Sequence, residues 1–210
     1  MHASSFALFL LATSLIAITP GPGIMYVAAQ TLSGGRASGI AASVGTWFGG
    51  LVHVCAGALG VSALVMTSAE AFTVFKLAGA AYLIWLGIKA WRAAGEAPEL
   101  IATGGSTSVR RALRDGIIVE ALNPKSAAFF LAFLPQFVDL AAGHVALQFV
   151  ALGLITVTLN TGVDVAVTLF ASRVRESVVA RPVLVRRIRQ ASASVFVALG
   201  IGLVFSRRGN

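Results

Sequence analysis

Charge is scarce in this sequence. Asp, Glu, Lys and Arg make up 11% of its 210 residues, against roughly 25% in soluble domains. The shortfall, with 57% hydrophobic residues and a mean hydropathy of +0.88, excludes an ordinary water-facing surface and predicts an integral membrane protein. Cysteine is nearly absent. The single Cys55 lies in an apolar run, which excludes an intramolecular disulfide and a Cys-paired redox centre and predicts a small buried packing residue. There are three histidines and no HExxH pair, so no metal constellation is foreseen and no cofactor is expected. Neither a G-x-S-x-G elbow nor a Walker loop occurs, leaving ATP hydrolysis and intramembrane proteolysis without support. The N-terminal segment lacks the Lys/Arg flank and A-x-A site of a signal peptide and reads as a first membrane helix.

What is present is apolar length. Six segments approach the length that crosses roughly 30 Å of hydrocarbon: Phe6–Ala29, Gly39–Met66, Ala71–Ala90, Asp115–Phe137, Val145–Ala171 and Ala191–Phe205. The basic residues fall on one side of them. Twelve of the sixteen lie after the first, third and fifth segments: Arg36; Lys89, Arg92, Arg110, Arg111 and Arg114; Arg173, Arg175, Arg181, Arg186, Arg187 and Arg189. The positive-inside rule makes those loops cytoplasmic and both termini periplasmic. The net charge of +8 is then a topology signal, with contact to anionic lipid, rather than a nucleic-acid footprint. Tyr82, Trp85, Lys89, Trp91 and Arg92 read as an interfacial belt or, alternatively, an aromatic substrate box. The expected fold is all-α. Six transmembrane helices form an inverted 3+3 repeat over residues 5–91 and 115–206, joined by a cytoplasmic linker over 92–114, within a single transporter domain.

Two of these helices are broken. Thr19-Pro20-Gly21-Pro22-Gly23 interrupts the first and Asn123-Pro124-Lys125 the fourth. Proline removes an N–H and clashes with the carbonyl four residues back, which frees the carbonyls of Ile16, Ile18 and Glu120. Matching breaks in two halves point to a transporter's binding site. The half-helix that restarts at Gly21–Gly23 suits a carboxylate and the freed carbonyls suit an ammonium, together a zwitterion. Thr156, Asn160, Asp164 and Thr168 recur every four residues on one helix face. Asp164, inside a span, is by default functional; the alternative is an ion pair with Lys125 or a polar contact between helices. At ~1.5 Å per residue, Pro20, Asn123, Asn160 and Asp164 share a layer between the midplane and the cytoplasmic face. Lys125 has three open roles: neutralising Glu120, neutralising Asp164, or binding a substrate carboxylate. Glu120 is either a partly solvated carboxylate or a coupling group. His53, on the stripe Ala41, Gly45, Gly49, Gly57, either packs or relays protons; the stripe itself predicts close helix packing. Asp164, Glu120 and His53 are the proton-coupling candidates.

The segments TPGPGIMYVAAQTLSGGRASGIAASVGTWFGG, FKLAGAAYLIWLGIKAW and NPKSAAFFLAFLPQFVD resemble the lysine-exporter and homoserine/threonine-exporter family (LysE/RhtB type). The resemblance runs from Phe6 to about Phe205. It implies a multi-pass exporter of amino acids or related small amines in the bacterial inner membrane, driven by an ion gradient, with protons as the coupling ion, and no enzymatic activity. By the same resemblance Thr19, Pro20, Gly21, Pro22, Asn123, Pro124, Lys125 and Asp164 are the motif residues; Gly23 and Asn160 join them as substrate-binding candidates. Glu120 stands where many members carry a neutral residue. A homodimer is possible on the small-residue stripes. Two rivals remain: export of a divalent cation, held by freed carbonyls and two carboxylates, and a scaffold with no transport.

Overall fold

The computed structural model describes residues 3–67 and 108–173, with single helical positions between 74 and 92 and between 190 and 204. Expectations for the interhelical linker beyond these positions, for Tyr82 and Lys89, and for Arg175 to Arg189 lie outside the described residues. Every regular element among the described residues is helical. Helix α1 covers Ala3–Ile18. After the break, α2 covers Pro22–Thr67, α3 Val109–Ala121 and α4 Pro124–Ala128. A π turn over Phe129–Phe133 and a 3-10 turn over Leu134–Phe137 follow, and α5 is Val145–Arg173. Two helices, Pro22–Gly60 and Val145–Arg173, are long and apolar enough to cross a membrane, and α3 with Pro124–Phe137 makes a third such unit bent by 41°.

Helix α2 is two arms. Gly35 has φ 78° and ψ −174°, a conformation glycine adopts without steric cost. Val27 and Ala42 pack in one cluster, whereas a straight helix would hold them ~22 Å apart at 1.5 Å per residue. The chain therefore folds back at Gly35, and the arm before it lies against the first turns of the arm after it. A loop was expected between the first two helices, around Arg36; the turn needs one residue. No room is left at the fold: a Cβ on Gly39 would collide with the hydroxyl of Thr31 and with Thr168.

The second arm lies along α3 through its glycines. A Cβ on Gly45 would strike the Leu113 carbonyl, and one on Gly116 would sit 2.8 Å from the Ala42 carbonyl. The small-residue stripe is thus a backbone-to-backbone seam, the close packing that membrane helices use in place of a hydrophobic drive. On α3, Ala112, Gly116 and Glu120 are buried at four-residue spacing, while Arg114 and Arg111 bridge to Asp115 in the open. At Gly49 an added methyl would lie 2.5 Å from the Ile117 carbonyl and 2.8 Å from Glu120 Cβ. Backbone cannot yield there, so Gly49→Ala is expected to cost about 1–3 kcal/mol, the range for overpacking a tight site. A lowered unfolding midpoint in detergent would show it.

Phenylalanines form the other core. Phe9, Phe129, Phe130 and Phe149 are almost fully buried, and Phe9 meets Phe137 edge-on at 5.4 Å. The π turn, in which Leu134 N–H donates to the Phe129 carbonyl, widens the helix just before Pro135, where the ladder loses a donor. The loop that follows is clamped by Gln148, whose side chain accepts from Asp139 N–H at 2.8 Å and donates to the Gly143 carbonyl at 2.7 Å. Backbone donors, Ala142 N–H foremost, hold the Asp139 carboxyl below its ordinary range. One expectation fails. Cys55 is exposed rather than buried, because on a membrane-facing helix surface a thiol or alkyl group loses little by facing lipid instead of protein.

Candidate functional site

Both breaks restart on a proline at the first helical position, Pro22 in α2 and Pro124 in α4, where the missing N–H costs nothing. Asn123 caps the second restart, its Oδ1 accepting from Lys125 N–H at 3.0 Å. Thr19, buried, turns its hydroxyl back to the Leu15 carbonyl at 2.7 Å. These contacts shape the chain; the charged groups then tie the breaks together.

Lys125 reaches from the second break to the first. Its Nζ donates to the carbonyls of Ile16 at 2.9 Å and Thr19 at 2.7 Å, at the C-terminal end of α1 where the helix dipole favours a cation. Its stem fills the space over Gly21, where a Cβ would lie 2.8 Å from Lys125 Cδ. Of the three roles open to Lys125, none describes this contact, which is with backbone rather than carboxylate. The Ile16 carbonyl, expected to await a ligand's ammonium, is filled by the protein's own.

Glu120 is 8% exposed, so it is not the partly solvated carboxylate that its position near the end of the span suggested. The bend at Asn123 carries it inward. Its Oε2 accepts from Asn123 Nδ2 at 2.8 Å, its Oε1 accepts from the Ser126 hydroxyl, and it stands over Gly23, where a Cβ would meet Oε2. Its freed backbone carbonyl accepts from His53 Nε2 at 2.8 Å. Since a carbonyl only accepts, Nε2 bears the hydrogen, and the ring lies stacked over Phe130 at 5.8 Å. His53 is packed and hydrogen-bonded.

Asp164 is 7% exposed and lies 2.8 Å from the hydroxyl oxygen of Thr46. The stripe it belongs to faces inward: Thr156 and Thr168 are buried, and Thr168 meets Thr31 at 3.3 Å. Asn160 Oδ1 is buried with no hydrogen-bond partner, a cost of about 1–3 kcal/mol unless something binds there.

Glu120, Asn123, Lys125, Asn160, Asp164 and Gly23 line one cavity between the two breaks and α5. Its free interior is about 30 Å³, enough for one or two waters. Thr19, Pro20, Gly21, Pro22, Pro124 and His53 are not in the lining; they form the breaks or buttress them. Thr46 and Ser126 are in it and were not foreseen. Thr46 had a signal: it follows Gly45 on the small-residue arm, one of the few hydroxyls in an otherwise apolar span. Among the described residues no three His, Cys, Asp or Glu side chains gather as a metal site.

Comparison with known proteins identifies the family. The family model described as LysE type translocator matches residues 14–207. A Vibrio cholerae serotype O1 protein named uncharacterized membrane protein is 34% identical over 201 residues, 95% of this chain and 96% of its own length. A homoserine/homoserine lactone efflux protein of Salmonella typhimurium is 32% identical over 199 residues, 95% of each chain. A leucine efflux protein of an Enterobacter species is 27% identical over 148 residues, 70% of each. No solved structure matches. With the family model covering nearly the whole sequence and its broken helices meeting at one buried polar cavity, the chain belongs to the LysE type translocator family, whose members are membrane transporters and not enzymes.

Proposed function

We propose that this protein is a secondary-active exporter of amino acids or closely related small amines, proton-coupled and working by alternating access across the bacterial inner membrane. The observation that carries the reading is the cavity between the two breaks. It places an ionisable Asp164 and the unpartnered Asn160 Oδ1 together inside a span, where a substrate ammonium finds two acceptors. Relatives named for homoserine, homoserine lactone and leucine efflux support an amino-acid cargo without fixing which. The free interior is too small for such a cargo, and we take this arrangement as the closed state of the cycle. In the open states the ammonium binds Asp164 and Asn160, and the carboxylate binds at the restart around Gly21–Gly23 and at Lys125. Two inverted halves, 5–91 and 115–206, rock around this site, with the basic loops cytoplasmic and both termini periplasmic. A proton on Asp164 alternates with substrate.

Purified protein in preloaded vesicles, given a pH gradient and a panel of labelled amino acids, tests this. Gradient-dependent efflux of one chemical group is the expected result. If none of the panel moves through correctly folded protein, the reading fails, and divalent cations are then tried before a scaffold role. The cation reading has less behind it, since Glu120 is already engaged by Asn123 and Ser126.

A further inference from the structure

Thr46 Oγ1 lies 2.8 Å from the Ser43 carbonyl oxygen and 2.8 Å from Asp164 Oδ2. A hydroxyl has one hydrogen to donate, and a carbonyl only accepts. With each contact a full two-centre hydrogen bond rather than one hydrogen shared between two acceptors, Thr46 donates to Ser43 and Asp164 supplies the hydrogen of the other. That requires a carboxylic acid. From this geometry we infer that Asp164 carries a proton in the closed state, and that Thr46 is its positioning residue, a single-hydrogen switch that serves both the acid and the carboxylate.

The switch works by rotation. When the proton leaves Asp164 for the cavity, the carboxylate has only lone pairs to offer. The Thr46 hydrogen then turns from the Ser43 carbonyl to Asp164 Oδ2. The Ser43 carbonyl, inside a helix, keeps the N–H of its own ladder, so the turn leaves no buried group orphaned. Threonine suits the task because its hydroxyl accepts and donates at once.

The charged surroundings agree. Facing the same cavity are Glu120 from α3 and Lys125 from α4. α1 contributes only Ala17, while α5 adds the neutral Asn160 and Thr161. His53, on the same helix as Thr46, is directed to the Glu120 carbonyl. Lys125 spends its ammonium on Ile16 and Thr19, and Asp164 has no ion-pair partner among the described residues. A buried carboxylate so placed lacks a cation within contact, whereas a carboxylic acid needs none.

The role of Thr46 in transport rests on the proton-coupled reading above, and the experiment separates the two. Gradient-driven efflux is measured across pH for the wild type, Thr46→Val and Thr46→Ser. Valine keeps the shape and removes the switch; serine restores it. The expected result is a midpoint raised by about one pH unit in Thr46→Val, the excess of a hydrogen bond to the carboxylate over one to the neutral acid, and returned in Thr46→Ser. A merely structural role would lower the rate of Thr46→Val and leave its midpoint in place, and that outcome overturns the inference. If the wild type moves no amino acid, the proton-coupled reading has failed instead. The protonation itself is then read without transport, as the infrared difference between wild type and Asp164→Asn. The carbonyl stretch of a neutral acid, shifted in Thr46→Val, supports the assignment; a carboxylate band in its place refutes it.

Discussion

Asp164→Asn is expected to insert, fold and lose gradient-driven efflux down to the level of protein-free vesicles. The amide has the size of the acid, and its nitrogen can donate to Thr46 as a protonated Asp164 would. The variant therefore resembles the proton-loaded closed state made permanent. It should be about as stable as the wild type, because acid and amide are both neutral in that state and each donates one hydrogen to Thr46. Thermal unfolding in detergent, run beside the transport assay, separates lost coupling from lost folding. Exchange of substrate for substrate adds a further division. If Asp164 holds the ammonium as well as the proton, exchange disappears with efflux; if exchange survives, the ammonium is held elsewhere, by Asn160. Full pH-driven efflux in a folded Asp164→Asn protein would end the proposal that this residue couples the two.

The second large effect is expected at Lys125. In Lys125→Met the stem is kept and the ammonium removed, so two charge-assisted hydrogen bonds across the breaks are lost. Hydrogen bonds to charged groups contribute about 1.5–3 kcal/mol each. The Ile16 carbonyl retains the N–H of Thr19 at 3.1 Å, which returns part of the loss, and about 2–4 kcal/mol of net destabilisation is the expectation. Transport should fall with it, since the site loses both its tie and its cation. Lys125→Arg is not expected to rescue: the lysine stem already fills the space over Gly21, and a planar guanidinium is a different shape with a different hydrogen-bond fan. Denaturant unfolding of the three proteins checks this. A Lys125→Met protein as stable and as active as wild type would show that the contact with α1 is incidental.

The parts of the site legible in the sequence were those that break a rule. Proline in an apolar run, an aspartate inside a span and glycines at four-residue spacing each violate what a lipid-facing helix requires, and so Pro20, Pro124, Asp164 and the Gly45–Gly49 seam stood out. Partnerships were not legible, because they depend on which elements meet. Freed carbonyls looked like ligand sites until Lys125 and His53 were found on those of Ile16 and Glu120. Glu120 looked half-solvated because its depth was counted along a straight helix, whereas the helix pair Val109–Ala121 and Pro124–Phe137 is bent by 41° at the break. Thr46 gave only the faint signal of a hydroxyl in an apolar span, since hydroxyls bond back to their own helix and sit in spans at little cost; its importance comes from facing Asp164. Cys55 was misplaced for the opposite reason: in a membrane, apolar character does not say whether a side chain faces protein or lipid.

The one-residue fold at Gly35 bears on how such a carrier moves. With Thr31, Gly39 and Thr168 in contact at its base, the two arms of α2 have no slack between them and travel as a single stiff lever. A displacement of the short arm is passed whole to the long arm, and with it to the wall that holds Thr46. The joints left in this part of the molecule are the breaks at Thr19–Gly21 and Leu122–Asn123. Those joints also hold Lys125 and Glu120, so on the proposed alternating-access reading the hinge and the binding site share residues. On that reading a ligand that engages them loads the bearing on which the lever turns, and opening is not separable from recognition.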